Sequence, residues 1–118
     1  MRYMSIITEP ADASHELPAS LIEAMHVMAN REVQAGRMLG GGQLLPLDTG
    51  ARVTVADGRI SVLDGPMVEA KEVIGGYAIF EFASKEEAIA SAREFLQLHL
   101  DHIPGWRGVC EIREMFGD

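Results

Sequence analysis

The stretch Asp64-Gly65-Pro66-Met67-Val68-Glu69-Ala70-Lys71-Glu72 gathers carboxylates and an amine beside a turn. Groups of these types trade protons. Asp64 or Glu69 would act as general acid or base, with Lys71 tuning it. A second reading gives Asp64 a turn role, its side chain bonding nearby backbone N–H groups, and makes Glu69 and Lys71 a weak surface ion pair. Both readings stand, because a loop held by a rigid sheet is a usual place for function. His99 and His102 lie three apart and share a face if that stretch is helical. They could begin a metal site, or simply suit the negative end of a helix dipole. No third ligand stands at a recognised spacing, so no metal or other cofactor is expected. Cys110 is the single cysteine and cannot form an internal disulfide.

The elements that must position these residues follow from periodicity. Arg2 to Glu9 reads as a strand, and Pro10 to Pro18 as a polar loop. Leu21, Ile22, Met25, Met28, Ala29 and Val33 recur at helical steps and form a core stripe. Ser20 with Glu23 fits a capping box at its start, while Pro18 is equally compatible with the first turn. Gly36 fits the position just past the helix end. Arg37 to Leu45 reads as an extended, glycine-rich segment, where glycine marks a bulge or a close backbone approach. Asp57-Gly58 between two alternating apolar runs signals a hairpin. Ile74 to Phe82 is a strong strand. Ser84 with Glu87 caps a second helix running to Asp101–His102, and Val109 to Met115 is the last strand. Without the hairpin the order is βαββαβ, an α+β ferredoxin-like arrangement with two helices on one face of an antiparallel sheet.

Alternation then assigns faces. Met4 and Ile6, with Ala78, Phe80, Phe82, Cys110 and Ile112, are expected toward the helices, which makes Cys110 a buried, inert thiol. Tyr3, Glu9, Tyr77, Glu81, Glu111 and Arg113 are expected on the other face. A bare, half-apolar sheet face favours association, most simply as a homodimer. Those residues would then line a cleft between two sheets that could take a small-molecule ligand. They could equally pair across neighbouring strands. Trp106, after Pro104-Gly105, is expected to plug the core or the dimer edge.

The chain has 118 residues and a formal charge of −8, from 10 Lys+Arg against 18 Asp+Glu. Such an acidic balance disfavours nucleic acid and anionic membranes as partners. The 47% hydrophobic content and the length suit one domain spanning residues 1–118. One unpaired cysteine and no export-type leader favour a cytoplasmic setting.

The run from Asp64 to Tyr77 resembles the signature of the DGPF-type members of the YCII-related family, D-G-P-F-x-E-x-K-E-x-[IL]-G-G-[FY]. The similarity continues through Met1-Arg2-Tyr3-Met4, Gly50-Ala51-Arg52-Val53, His102-Ile103-Pro104-Gly105-Trp106 and Cys110-Glu111-Ile112-Arg113. Met67 stands where the pattern has Phe. The resemblance implies a ferredoxin-like domain assembled as a dimeric α+β barrel. It implies no settled reaction. Some relatives are encoded beside or fused to extracytoplasmic-function sigma factors, which makes a non-catalytic accessory role the alternative to an enzyme. Others are enzymes with a His–Asp pair, and no equivalent of that pair is legible among His15, His26, His99 and His102. Lyase- or isomerase-like proton transfer is the chemistry such a fold would carry.

Overall fold

A computed structural model describes residues 1–11, 16–65 and 71–117. Four strands form one antiparallel sheet in the order β2-β5-β1-β6: β1 is Arg2–Pro10, β2 Met38–Gln43, β5 Glu72–Glu81 and β6 Val109–Glu114. Helices α1 (Ala19–Gln34) and α2 (Lys85–His102) cover one face. The arrangement is compatible with a ferredoxin-like α+β fold. No helix among the described residues is long and apolar enough to cross a membrane.

Local chemistry sets the ends of the elements. α2 begins where the Ser84 hydroxyl accepts a bond from the Glu87 N–H at 3.2 Å and the Glu87 carboxylate accepts from the Ala83 N–H at 2.9 Å. α1 begins differently. Pro18 caps it without a side-chain bond, and Ser20 is drawn away to His102, with its hydroxyl 2.8 Å from Nδ1. The capping box expected of Ser20 and Glu23 is therefore replaced by a tie between the two helices. α1 ends at Gly36 (φ 76°), where the Arg37 N–H reaches the Glu32 carbonyl and the Gly36 N–H that of Val33. A residue with a side chain would resist that left-handed turn.

β3 (Ala51–Ala56) and β4 (Arg59–Asp64) pair only with each other. Asp57 and Gly58 both take positive φ, as a two-residue primed turn requires. Register places Val53, Val55, Ile60 and Val62 on one face of this hairpin, all of them exposed. The radius of gyration is 16.0 Å, against about 13 Å for a compact chain of this length. The hairpin projects as an arm.

Register also corrects one face. Tyr3 pairs with Phe80 and Ser5 with Ala78, so Tyr3, Ser5, Ile7 and Glu9 face the helices, while Met4 and Ile6 lie on the bare side. Tyr3 is 2% exposed and packs with Phe80, Phe82 and Ala88. Both alternating sets of β1 are apolar enough to be buried, so only pairing with β5 and β6 decides between them. The assignments for β5 and β6 agree with register: Ala78, Phe80, Cys110 and Ile112 share the helix side with Tyr3 and Ser5.

Candidate functional site

The layer between sheet and helices is full at one end and hollow at the other. At the full end Phe80 and Phe82 stack with centroids 5.0 Å apart, and Tyr3 lies 6.4 Å from Phe82. Toward the other end, beside Ile7 and Cys110, several helix-facing sheet positions carry little or no side chain: Ser5, Ala78 and Gly76, with Gly41 beside Ala78. These side chains are too small to reach the helices. Gly41 has no alternative: with φ 153°, an added Cβ would sit 2.6 Å from the Tyr77 carbonyl oxygen. The result is a cavity of about 820 Å³. That is well within the range of sites that enclose small molecules.

Its roof is Met25, Met28 and Ala29 of α1 with Ala92, Phe95 and His99 of α2; its rim is Leu44 to Leu47. The polar groups are few. Glu9 stands at a bulge in the β1–β5 ladder, where Ile7 faces Gly76 but Thr8 faces Ile74, leaving Gly75 as the extra residue. An added Cβ on Gly75 would lie 2.7 Å from Glu9 Oε1, so the glycine makes room for the carboxylate. Glu9 has no hydrogen-bond or ion-pair partner among the described residues. Bulges of this kind re-aim side chains beside binding sites.

Glu32 is the other carboxylate on the wall and is 4% exposed. Arg37 donates to it from Nε (3.1 Å) and Nη2 (2.6 Å), and Arg31 from Nε at 3.3 Å. The Arg37 hydrogen bonds hold its carboxyl below the usual range, against the opposing effect of burial. Arg31 also makes a fork to Glu94 at 2.8 and 2.9 Å, tying α1 to α2.

His99 is 5% exposed, packed between Phe95 (4.8 Å) and Trp106 (4.5 Å). Its Nδ1 lies 2.9 Å from the Phe95 carbonyl, which can only accept. Nδ1 therefore carries a proton, donated to that carbonyl. His26 lines the cavity from α1. Burial pushes the Cys110 thiol up, opposed by a hydrogen bond with Ser5, so it stays protonated at neutral pH.

The residues singled out from sequence are dispersed. Asp64 ends β4 and is exposed, Lys71 is exposed, and Glu69 lies outside the described residues, as does Met67. The Lys71 carbonyl accepts from the Ala11 N–H at 2.9 Å. Of the six cleft residues, Tyr3 and Glu9 are on the helix side. Tyr3 is core, its phenol pushed up by burial and then by Glu114 and Glu86. Tyr77 pairs with Ile6, Glu81 with Arg2, Glu111 with Ile6 and Arg113 with Met4, all on the bare face. There Glu111 and Arg113 form an exposed pair at 3.2 Å, and Glu81 binds the N-terminal ammonium. His99 and His102 diverge, His102 going to Ser20. No group of three His, Cys, Asp or Glu placed to hold a metal occurs among the described residues. Sequence reasoning missed Glu32, His26 and His99 as wall residues. The nearest signals were Gly40-Gly41-Gly42 and Gly75-Gly76, which mark where the sheet lacks side chains.

Comparison with known proteins gives the chain a family. The sequence model of the YCII-related domain matches residues 1–96. An uncharacterised protein of Rhizobium meliloti (strain 1021) is 28% identical over 81 residues, 69% of this chain. The chain spans 65% of that relative's length.

Proposed function

Since the chain belongs to the YCII-related family, and that family prescribes no single reaction, we propose from the site itself that the protein is a small-molecule-binding domain whose ligand occupies the cavity between sheet and helices. The observation that carries this reading is a cavity of about 820 Å³, walled mainly by apolar side chains and holding a few directed polar groups. If the bound molecule is also transformed, Glu9, His26 and His99 are the wall groups of a type that takes part in lyase- or isomerase-like proton transfer. Asp64 and Lys71 stand apart from this wall. Native mass spectrometry of the purified protein tests the reading. A retained small molecule that is lost in Ala78→Phe, which fills the cavity, supports it. Retention unchanged in that variant would place the ligand elsewhere.

The bare sheet face, with Met4, Ile6, Tyr77 and Ile79 at its centre and Glu111 and Arg113 beside them, favours a homodimer packed sheet to sheet as a dimeric α+β barrel. Light scattering should give twice the chain mass, and Ile6→Lys should halve it. A cytoplasmic location goes with this reading, on the single unpaired cysteine. A second reading, an accessory protein that docks on a transcription regulator of the sigma-factor type, is favoured by the hairpin's exposed stripe of Val53, Val55, Ile60 and Val62. Replacing that stripe with threonines would then abolish co-purification with the regulator while leaving cavity binding intact.

A further inference from the structure

We infer that the ligand of this cavity is an amphiphile with a cationic head, a protonated amine or quaternary ammonium on an apolar body, and that Glu9 is its counter-ion. The inference rests on the cavity being a ligand site and adds the class of molecule it takes.

Apart from the imidazoles of His26 and His99, the charge on the wall is one-sided. The described lining contains two carboxylates, Glu9 and Glu32, and no lysine or arginine. Glu32 is already satisfied: Arg37 and Arg31 reach its oxygens, and neither arginine lines the cavity. Glu9 has no partner among the described residues. One uncompensated negative charge therefore faces an apolar chamber. Water can solvate it while the cavity is empty. An anionic guest would strip that water and return nothing, and a neutral one would return at most a single uncharged hydrogen bond, which is costly for a carboxylate. A guest with an N–H⁺ or N(CH₃)₃⁺ head replaces the water with an ion pair in a low-dielectric setting.

The rest of the wall suits the same guest. Phe80, which pairs with Tyr3 at the other end of β1 from Glu9, closes the chamber on the side where the apolar body would lie. Met25, Met28 and Met38 are unbranched and polarizable, and adapt to an aliphatic chain of varied shape. The net charge of −8 draws cations and repels carboxylates and phosphates at long range. Gly75 is part of the device, because any side chain there would collide with the Glu9 carboxylate.

Three probes of equal chain length separate the possibilities: octylamine, 1-octanol and octanoate, titrated into the intact protein at neutral pH by calorimetry. Octylamine should bind at least about tenfold more tightly than 1-octanol, with octanoate weakest. Glu9→Gln should remove the preference for the amine while keeping the affinity for the alcohol. Gly75→Ala, which displaces the carboxylate without removing it, should reduce the preference and guards against a Glu9→Gln protein that fails to fold. In the wild type, raising salt from about 50 to 500 mM should weaken the amine and not the alcohol. Equal binding of amine and alcohol would overturn the cationic head while leaving the cavity reading in place. Binding of neither would overturn both. A preference that survives in Glu9→Gln would overturn the assignment to Glu9.

Discussion

One layer of this molecule holds two opposite solutions to the same packing problem. At the end near Tyr3, Phe80, Phe82 and Ala88, aromatic rings from the sheet pack against the Ala88 turn of α2 in one buried cluster. At the other end Gly41, Gly76, Ser5 and Ala78 offer the helices almost no side-chain volume, and a cavity remains. The two helices are tied to each other by polar contacts, Arg31 to Glu94 and His102 to Ser20. Stability is concentrated at one end and room for a guest at the other.

The largest effect should come from breaking the full end. Phe82→Ala should cost about 3–5 kcal/mol in urea unfolding, and a cost under about 1 kcal/mol would show that this end is not the stabilising one. Next is the charge cluster at the C-terminal end of α1, where the Arg37 carbonyl accepts from the Glu81 N–H. Arg37→Ala leaves the buried Glu32 carboxylate with Arg31 alone, and should lower the urea midpoint by less than Phe82→Ala does, because both arginines are half-exposed. The pH dependence has a definite sign. The Glu32 carboxyl is held below its unfolded value, so its contribution is complete above that value, about 4.3. The contribution is lost as pH falls through the lower, folded value. Glu32→Gln should flatten this part of the acid limb of a stability-against-pH curve.

A matched pair of enlargements then contrasts the ends directly. Ala88→Leu, into packed aromatics, should cost about 1–3 kcal/mol. Ala78→Leu, into the cavity, should change stability by less than about 1 kcal/mol in either direction while weakening guest binding. Thermal unfolding of the two variants side by side checks this, and equal losses would mean that the void closes in solution. The smallest effect belongs to the arm: Val55→Thr is already in solvent and should fall within about 0.5 kcal/mol. A much larger loss, dependent on protein concentration, would reveal a partner on that face.

Much of the architecture was legible because its signals are local. Asp57-Gly58, Gly36 and the Ser84–Glu87 pair each act within a few residues, and the structure uses all three as their chemistry demands. The face of β1 was not legible, since Tyr3 with Ile7 and Met4 with Ile6 are comparably apolar and the choice lies in pairing with strands far along the chain. The cavity was harder still. Its emptiness is a sum over β1, β2 and β5, and no single strand reports it. Glu9 could be named from sequence as a site residue, but its proper side depends on the same register. The acid-rich run from Asp64 to Glu72 drew attention by composition, yet its described ends, Asp64 and Lys71, sit in solvent away from the cavity wall.

The hairpin carries one more lesson, about how the domain can be edited. The Gly65 N–H meets the Gly50 carbonyl at 3.1 Å, so the arm leaves the chain and returns to it through a single narrow neck. Its strands share no ladder with the four-stranded sheet. Residues 51–64 are thus a cartridge: they can be excised across that neck, or exchanged for a reporter or another recognition loop, without touching the strand order β2-β5-β1-β6.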